Sequence, residues 1–225
     1  MDFEPSPQIE SSQNAPHPRL DEIVRRHLCT EYQENIPAYA QQSFSAVQQW
    51  VNAQAKPIIL DSGCGTGESS VILAGRYPHC SVIGIDKSAH RLGRGLDQPL
   101  PDNVLLVRND CIHVWRLMHQ QQWKIERHYI LYPNPWPKPG HVQRRWHAHA
   151  VFPVLIKLGG QLIMRTNWAI YAQEFARALT LGHCGNSSRS CQPQRIDLSA
   201  AMTAHERKYL HSGHTVYEVQ SVLGT

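Results

Sequence analysis

"LDSGCGTGESS" occupies residues 60–70, at the end of the short apolar run "PIIL" (57–60). Gly63, Gly65 and Gly67 alternate there with small residues, and an acid stands on each side, Asp61 before the glycines and Glu68 after them. Glycine adopts backbone conformations closed to other residues and lets the main chain approach a ligand closely. An apolar strand that turns through such glycines into a helix brings the free N–H groups of the first helical turn to the same place. The stretch reads as strand, ligand-binding turn and helix.

Outward from it the same unit recurs. "SVIGI" (81–85), "NVLLV" (103–107), "HYILY" (128–132) and "GQLIM" (160–164) are short β-branched or apolar runs. Segments of helical length lie between them, at 68–76, 111–122, 141–157 and 168–181. Apolar strands alternating with helices predict an α/β domain with a mostly parallel sheet and helices on both faces. "HTVYEVQSVL" (214–223) alternates in polarity and predicts an antiparallel last strand. Upstream, residues 20–55 predict a helical extension, with Leu20, Ile23, Val24 and Leu28 near helical spacing and Pro37 breaking the run. Residues 1–19, rich in Pro, Ser and Gln, are expected to be a disordered tail, and 183–199 a surface loop. The domain proper is 56–225.

A chain of 225 residues suits one such domain with decoration at its ends. No uninterrupted apolar stretch is long enough to cross a bilayer, and the N-terminus lacks the apolar region of a secretory signal, so a cytoplasmic location is expected. The cysteines at 29, 64, 80, 111, 184 and 191 form no CxxC pair and no zinc-like spacing with histidine; buried, reduced thiols and no metal are expected. Cys184 and Cys191 share a polar loop and would pair only in an oxidising compartment. The net charge of +4 is concentrated between Lys138 and His149, where Lys138, Arg144, Arg145 and three histidines meet no acid. Such a run attracts phosphates, and reads equally as a solvated basic helix face.

Asp86 ends the second strand candidate, 19 residues after Gly67, where an acid accepts hydrogen bonds from a ribose diol. A dinucleotide fingerprint beginning at Gly63 would place its third glycine at Glu68, and that acid faces a pyrophosphate badly. S-adenosylmethionine carries a sulfonium cation and an amino group and no phosphate, so the D-x-G-x-G-x-G form favours this methyl donor over a nucleotide cofactor or a purely structural turn. Asp110 ends the third strand candidate and reads as an acceptor for an adenine amine or as a helix N-cap.

"YPNPWPKPGHVQRR" (132–145), "KLGGQLIMRTNWAIYAQEF" (157–175) and "TAHERKYLHSGHTVYE" (203–218) together resemble the tRNA (guanine-N7)-methyltransferases that act on the variable loop of tRNA. The resemblance runs from about Pro57 to Val222. It implies a Rossmann-like class I methyltransferase fold with a seven-stranded sheet, S-adenosylmethionine as donor and tRNA as partner, with monomer and homodimer both open. Carried over by position, Asp61, Gly63, Gly65, Gly67, Asp86 and Asp110 line the donor pocket. Lys138 falls at a substrate-contacting lysine, and Thr203 with Glu206 matches a T-x-x-E substrate motif that also reads as a capping box. Arg144 and Arg145 would lie along the approach of the tRNA backbone.

The chain departs from the family in two places. The family's P-D-P-W carries a catalytic Asp where this sequence has Asn134, and its A-T-D-W carries a substrate-binding Asp where this sequence has Asn167. A milder departure is that the family more often has Glu at positions 61 and 86. Guanine N7 bears no proton, so its methylation needs placement of the reacting atoms and no general base. A carboxylate bonded to the base gains strength as positive charge develops there, whereas an amide is neutral. Bonds to charged groups contribute roughly 1.5–3 kcal/mol against about 0.5–1.5 for neutral ones, so each exchange is expected to slow the reaction roughly tenfold or somewhat more. "NPW" is also similar to the [DN]-P-P-[YFW] loop of amino-methylating nucleic-acid enzymes, with one proline missing. An exocyclic amine is thus the other possible target, and an RNA-binding relative without turnover the third reading. Trp136 is expected to pack beneath its loop or to stack on the target base.

Overall fold

The computed structural model describes residues 5–94, 99–182, 191–198 and 200–224. In chain order the elements are α1 (Leu20–Leu28), α2 (Ala38–Gln54), β1 (Ile58–Ser62), α3 (Glu68–Arg76), β2 (Ser81–Asp86), α4 (Ala89–Leu92), β3 (Val104–Arg108), α5 (Cys111–Gln120), β4 (Ile125–Leu131), α6 (Phe152–Lys157), β5 (Gly160–Thr166), α7 (Ala169–Gly182), β6 (Gln194–Ile196), α8 (Ala204–His211) and β7 (Val216–Leu223). The strands form one sheet in the order β3-β2-β1-β4-β5-β7-β6. The five from β3 to β5 run parallel, and β7 is antiparallel to both its neighbours. The direction of winding reverses between β1 and β4, so the loops leaving their carboxyl ends part there, at the place where such sheets bind ligands.

Strand side chains alternate between faces, and the sheet accordingly has two cores. Leu60, Ile83, Ile130, Leu162 and Val219 join Val24 of α1, Phe44 of α2, Trp115 of α5, Phe152 of α6 and Phe175 of α7 on one face. Ile59, Val82, Tyr129 and Ile163 join Leu73 and Ala74 of α3, with Met202, on the other. Each large apolar side chain buried this way contributes about 1.5–3 kcal/mol. The expected α/β architecture, antiparallel last strand included, is what the chain adopts, and Pro37 stands as the N-cap residue of α2.

Four expectations are corrected. Residues 141–157 do not make one helix: two 3₁₀ turns, Pro139–Arg144 and Trp146–Ala148, precede the short α6, because the main-chain and side-chain contacts of Arg145 hold an extended residue between the turns. Residues 194–196, inside the expected loop, form edge strand β6 against β7; the rest of that loop from 183 to 190, with Cys184, lies outside the described residues. Residues 5–19 lack regular structure but are not a loose tail. Gln13 donates to Glu174, the Ser11 hydroxyl to the Pro137 carbonyl, and the Ser6 N–H to Ser212. The cysteines among the described residues are free, but Cys29 is exposed and Cys191 only half-buried.

Candidate active site

The glycine turn after β1 is built almost wholly from its own stretch of chain. Gly63, Gly65 and Gly67 take φ of 79°, 62° and 88°, the left-handed region that glycine alone enters without strain. The N–H groups of Gly63 and Cys64 donate to the Ile85 carbonyl at 2.8 and 3.0 Å, lashing the turn to β2. A Cβ on Gly67 would come within 2.5 Å of Leu106, whereas one on Gly63 or Gly65 would meet nothing within 4 Å, so the outer side of the turn is open. Asp86 accepts from the Gly65 N–H at 3.0 Å and the Ser88 N–H at 2.8 Å, and pairs with Arg91 at 2.9 Å. Asp61 is buried and accepts from the Ser69 and Ser70 hydroxyls at 2.6 and 2.7 Å; burial pushes its carboxyl up to about 6, against the pull of the two hydroxyls. Asp110 caps α5 through the Ile112 N–H at 3.0 Å, and Asn109 anchors it to α2 through the Ala40 carbonyl and Ser43 hydroxyl. An open glycine cradle between two acids fits the sulfonium, amino group and ribose of S-adenosylmethionine.

The loop leaving β4 forms the other wall. Tyr132 and Trp136 hold φ of 52° and 45°, on either side of Asn134. Left-handed backbone at non-glycine residues costs about 1–3 kcal/mol each and persists where its surroundings enforce it. The Tyr132 N–H bonds the Arg165 carbonyl at 2.8 Å, extending the ladder to β5, and the exposed Asn134 accepts from the Trp136 N–H at 3.2 Å through Oδ1. The prolines at 133, 135 and 137 remove competing N–H donors and fix φ between these points. Trp136 belongs to neither core: its half-buried ring lies under the Arg144 guanidinium, 4.9 Å from the centroid, and edge-on to His141.

Arg144 is exposed, as an RNA-facing residue requires, but Arg145 is not. Its side chain is fully buried, 2.5 Å from Glu174, with further bonds to the Trp136 carbonyl and Gln13 and its guanidinium over the Trp168 ring. Expected to touch the tRNA backbone, Arg145 instead props the loop from within. Burial opposes charge on Glu174, and its bonds with His147 and Arg145 more than offset it, so the carboxyl is held at about 2 and stays ionised; burial pushes His147, 2.9 Å from Glu174, below the usual imidazole value.

The remaining candidates divide. Lys138 is exposed at the loop's end. Asn167 follows β5 directly and donates through Nδ2 to His214 Nδ1 at 3.2 Å, while His214 Nε2 lies 2.9 Å from the Ser6 carbonyl. Thr203 caps α8 by accepting from the Glu206 N–H at 3.0 Å, the capping reading of the motif. Glu206 is fully buried and accepts from Arg165, the Tyr132 hydroxyl and the Met202 N–H, so it ties α8 to the ends of β4 and β5 and has no surface for a substrate. The sequence reading missed Arg165, Glu174, His147 and His214. The one available signal was charge or imidazole inside otherwise apolar runs, as at Arg165 in "LIMRT" and Glu174 in "AQEFA". Among the described residues a ligating group of His79, Cys80 and Glu126 comes together within 4.8 Å, at the opposite, amino ends of β2 and β4.

Fold and site together define a class I methyltransferase that uses S-adenosylmethionine. Residues 55–219 match a family described as a putative methyltransferase. The tRNA (guanine-N(7)-)-methyltransferase of Treponema pallidum is 30% identical over 207 residues, covering 85% of this chain and 78% of its own. That of Halorhodospira halophila is 30% identical over 177 residues, 74% of each chain. The chain belongs to the tRNA (guanine-N(7)-)-methyltransferase family. In fold it is also similar to a 16S rRNA (adenine(1408)-N(1))-methyltransferase of Catenulisporales acidiphilia, with TM-score 0.54 at 17% identity over 79% of this chain and 91% of that one. The 16S rRNA methyltransferase KamB aligns with TM-score 0.57 at 14% identity, over 87% and 97%.

Proposed function

We propose that the chain transfers a methyl group to N7 of a guanine in tRNA, at the crevice between the loops leaving β1 and β4. The observation that carries the reading is the meeting of two walls there: the glycine cradle with Asp61 and Asp86, and the carboxyl ends of the paired strands β4 and β5, which Asn134 and Asn167 follow. S-adenosylmethionine supplies a methyl group on a cationic sulfur. Asp86 is buried and bonded to the Gly65 and Ser88 N–H groups and to the half-exposed Arg91, so it takes the ribose hydroxyls by displacing Arg91, and Asp61 provides negative potential from below the turn. Asn134 and Asn167 meet the base, Lys138 and Arg144 lie toward the incoming RNA, and Thr203 and Glu206 act by fixing α8. No proton leaves N7, and no general base is needed.

Incubation with labelled donor and unmodified tRNA, followed by digestion to nucleosides, is expected to yield 7-methylguanosine. N6-methyladenosine in its place would identify the amine-methylating alternative suggested by the Asn-Pro-Trp loop. RNA retention with no product would identify a binding protein. Among the described residues no helix is long and apolar enough to cross a membrane, and a tRNA substrate places the reaction in the cytoplasm.

A further inference from the structure

The two amides that replace the family's carboxylates are not free to choose which atom they present. The Trp136 backbone N–H can only donate, so the Asn134 atom that meets it is Oδ1. That fixes the orientation of the amide, with both Nδ2 hydrogens and one lone pair of Oδ1 left for a ligand. At Asn167 the direction is set by a longer chain. The Ser212 hydroxyl donates to the Lys208 carbonyl at 2.8 Å and its oxygen accepts from the Ser6 N–H at 2.8 Å, which holds Ser6 in place. The Ser6 carbonyl in turn can only accept, so His214 carries its proton on Nε2. Its bare Nδ1 then accepts from one Asn167 Nδ2 hydrogen, which fixes the amide and leaves Oδ1, with the second Nδ2 hydrogen, for a ligand. The Tyr209 ring, stacked on His214 at 5.3 Å, holds the imidazole in plane.

We propose that the pocket meets the base with one donor, Asn134 Nδ2, and one acceptor, Asn167 Oδ1, and so selects a base edge with an acceptor beside a donor. In guanine that edge is O6 with N1–H, and His214 is the positioning residue that makes the selection possible. This rests on the guanine-N7 reading and deepens it. Two carboxylates can only accept, and would take N1–H together with the 2-amino group. The amide pair leaves the 2-amino group unread, so it treats inosine, which lacks that group, like guanine.

The test uses full-length protein and tRNA carrying either guanosine or inosine at the methylated position. Wild type is expected to methylate both with kcat/KM within about threefold, whereas Asn134→Asp with Asn167→Asp is expected to prefer guanosine tenfold or more. Equal discrimination by the two proteins would overturn the proposal. His214→Phe is expected to lower kcat about tenfold in the wild-type background and less than twofold beside Asn167→Asp, since a carboxylate offers an acceptor whichever way it turns. The same loss in both backgrounds would make His214 merely structural. If wild type forms no 7-methylguanosine, the reading of function fails, and ¹⁵N spectra of the His214 ring still decide the hydrogen-bond chain. A protonated Nε2 and bare Nδ1 support it, and a protonated Nδ1 overturns it.

Discussion

The two walls of the crevice are held in opposite ways. On the donor side the bonds to the two acids are short in range: Asp61 is bonded by Ser69 and Ser70, and Asp86 by Gly65, Ser88 and Arg91, while Asn109 and Glu68 tie that wall to α2 and α8. On the acceptor side the constraints are remote. Glu174 collects Arg145, His147, Gln13 and the His17 N–H, Glu206 collects Arg165 and Tyr132, and His214 joins Asn167 to Ser6. A short glycine turn can shape a pocket for a small cofactor by itself. A pocket that must hold one base of a large RNA takes its rigidity from segments far apart in sequence.

The comparison breaks most decisively at Arg145. Arg145→Ala leaves Glu174 charged and buried without its main partner, and is expected to cost about 3–5 kcal/mol in urea unfolding. A loss below about 1 kcal/mol would show that the acceptor side is held by something else. Next in size is the pair Asn134→Asp with Asn167→Asp, expected to raise kcat/KM for guanosine methylation on the order of a hundredfold, the two exchanges contributing about 1–2 kcal/mol each. A fall would refute the view that neutral amides weaken transition-state stabilisation.

Asp61 probes the donor side. Its folded value, about 6, lies above the ordinary carboxylate range because of burial, so its contribution to stability is fullest at low pH and is lost as pH rises through that value. Capture of a cationic donor runs the other way, because it needs the ionised form. Calorimetry is expected to find donor affinity about tenfold weaker at pH 5 than at pH 7, and a flat profile would remove Asp61 from the donor site. The smallest effect belongs to Arg91, whose half-exposed guanidinium shares Asp86 with the ribose position. Arg91→Ala is expected to raise donor affinity about two- to threefold and to change stability by less than about 1 kcal/mol.

The same contrast explains what the amino-acid sequence discloses. The donor wall is legible because glycine spacing, a preceding strand and Asp86 lie in one short span whose chemistry is local. The acceptor wall is legible at Asn134 and Asn167, through the resemblance. Its supports are not, because "VQRRW" looks like a basic surface until Glu174, 29 residues on, is seen to neutralise its second arginine. Thr203 and Glu206 show the reverse error. Their spacing suggests substrate contact, but the hydroxyl caps the first turn of α8 and the carboxylate is spent on Arg165 and Tyr132. The Pro- and Ser-rich stretch before α1 carries no periodicity, so its docking rests on single hydrogen bonds and on the packing of Ile9, which no pattern announces.

The bond between His214 and Ser6 spans 208 positions of the chain. Contacts of such long range form late, and synthesis delivers the amino end first. A nascent chain can therefore shape its cofactor turn while still on the ribosome, yet cannot set the orientation of Asn167 until its last strand has emerged. On the proposed role of Asn167, a product lacking its first six residues is expected to keep the methyl donor and lose its aim.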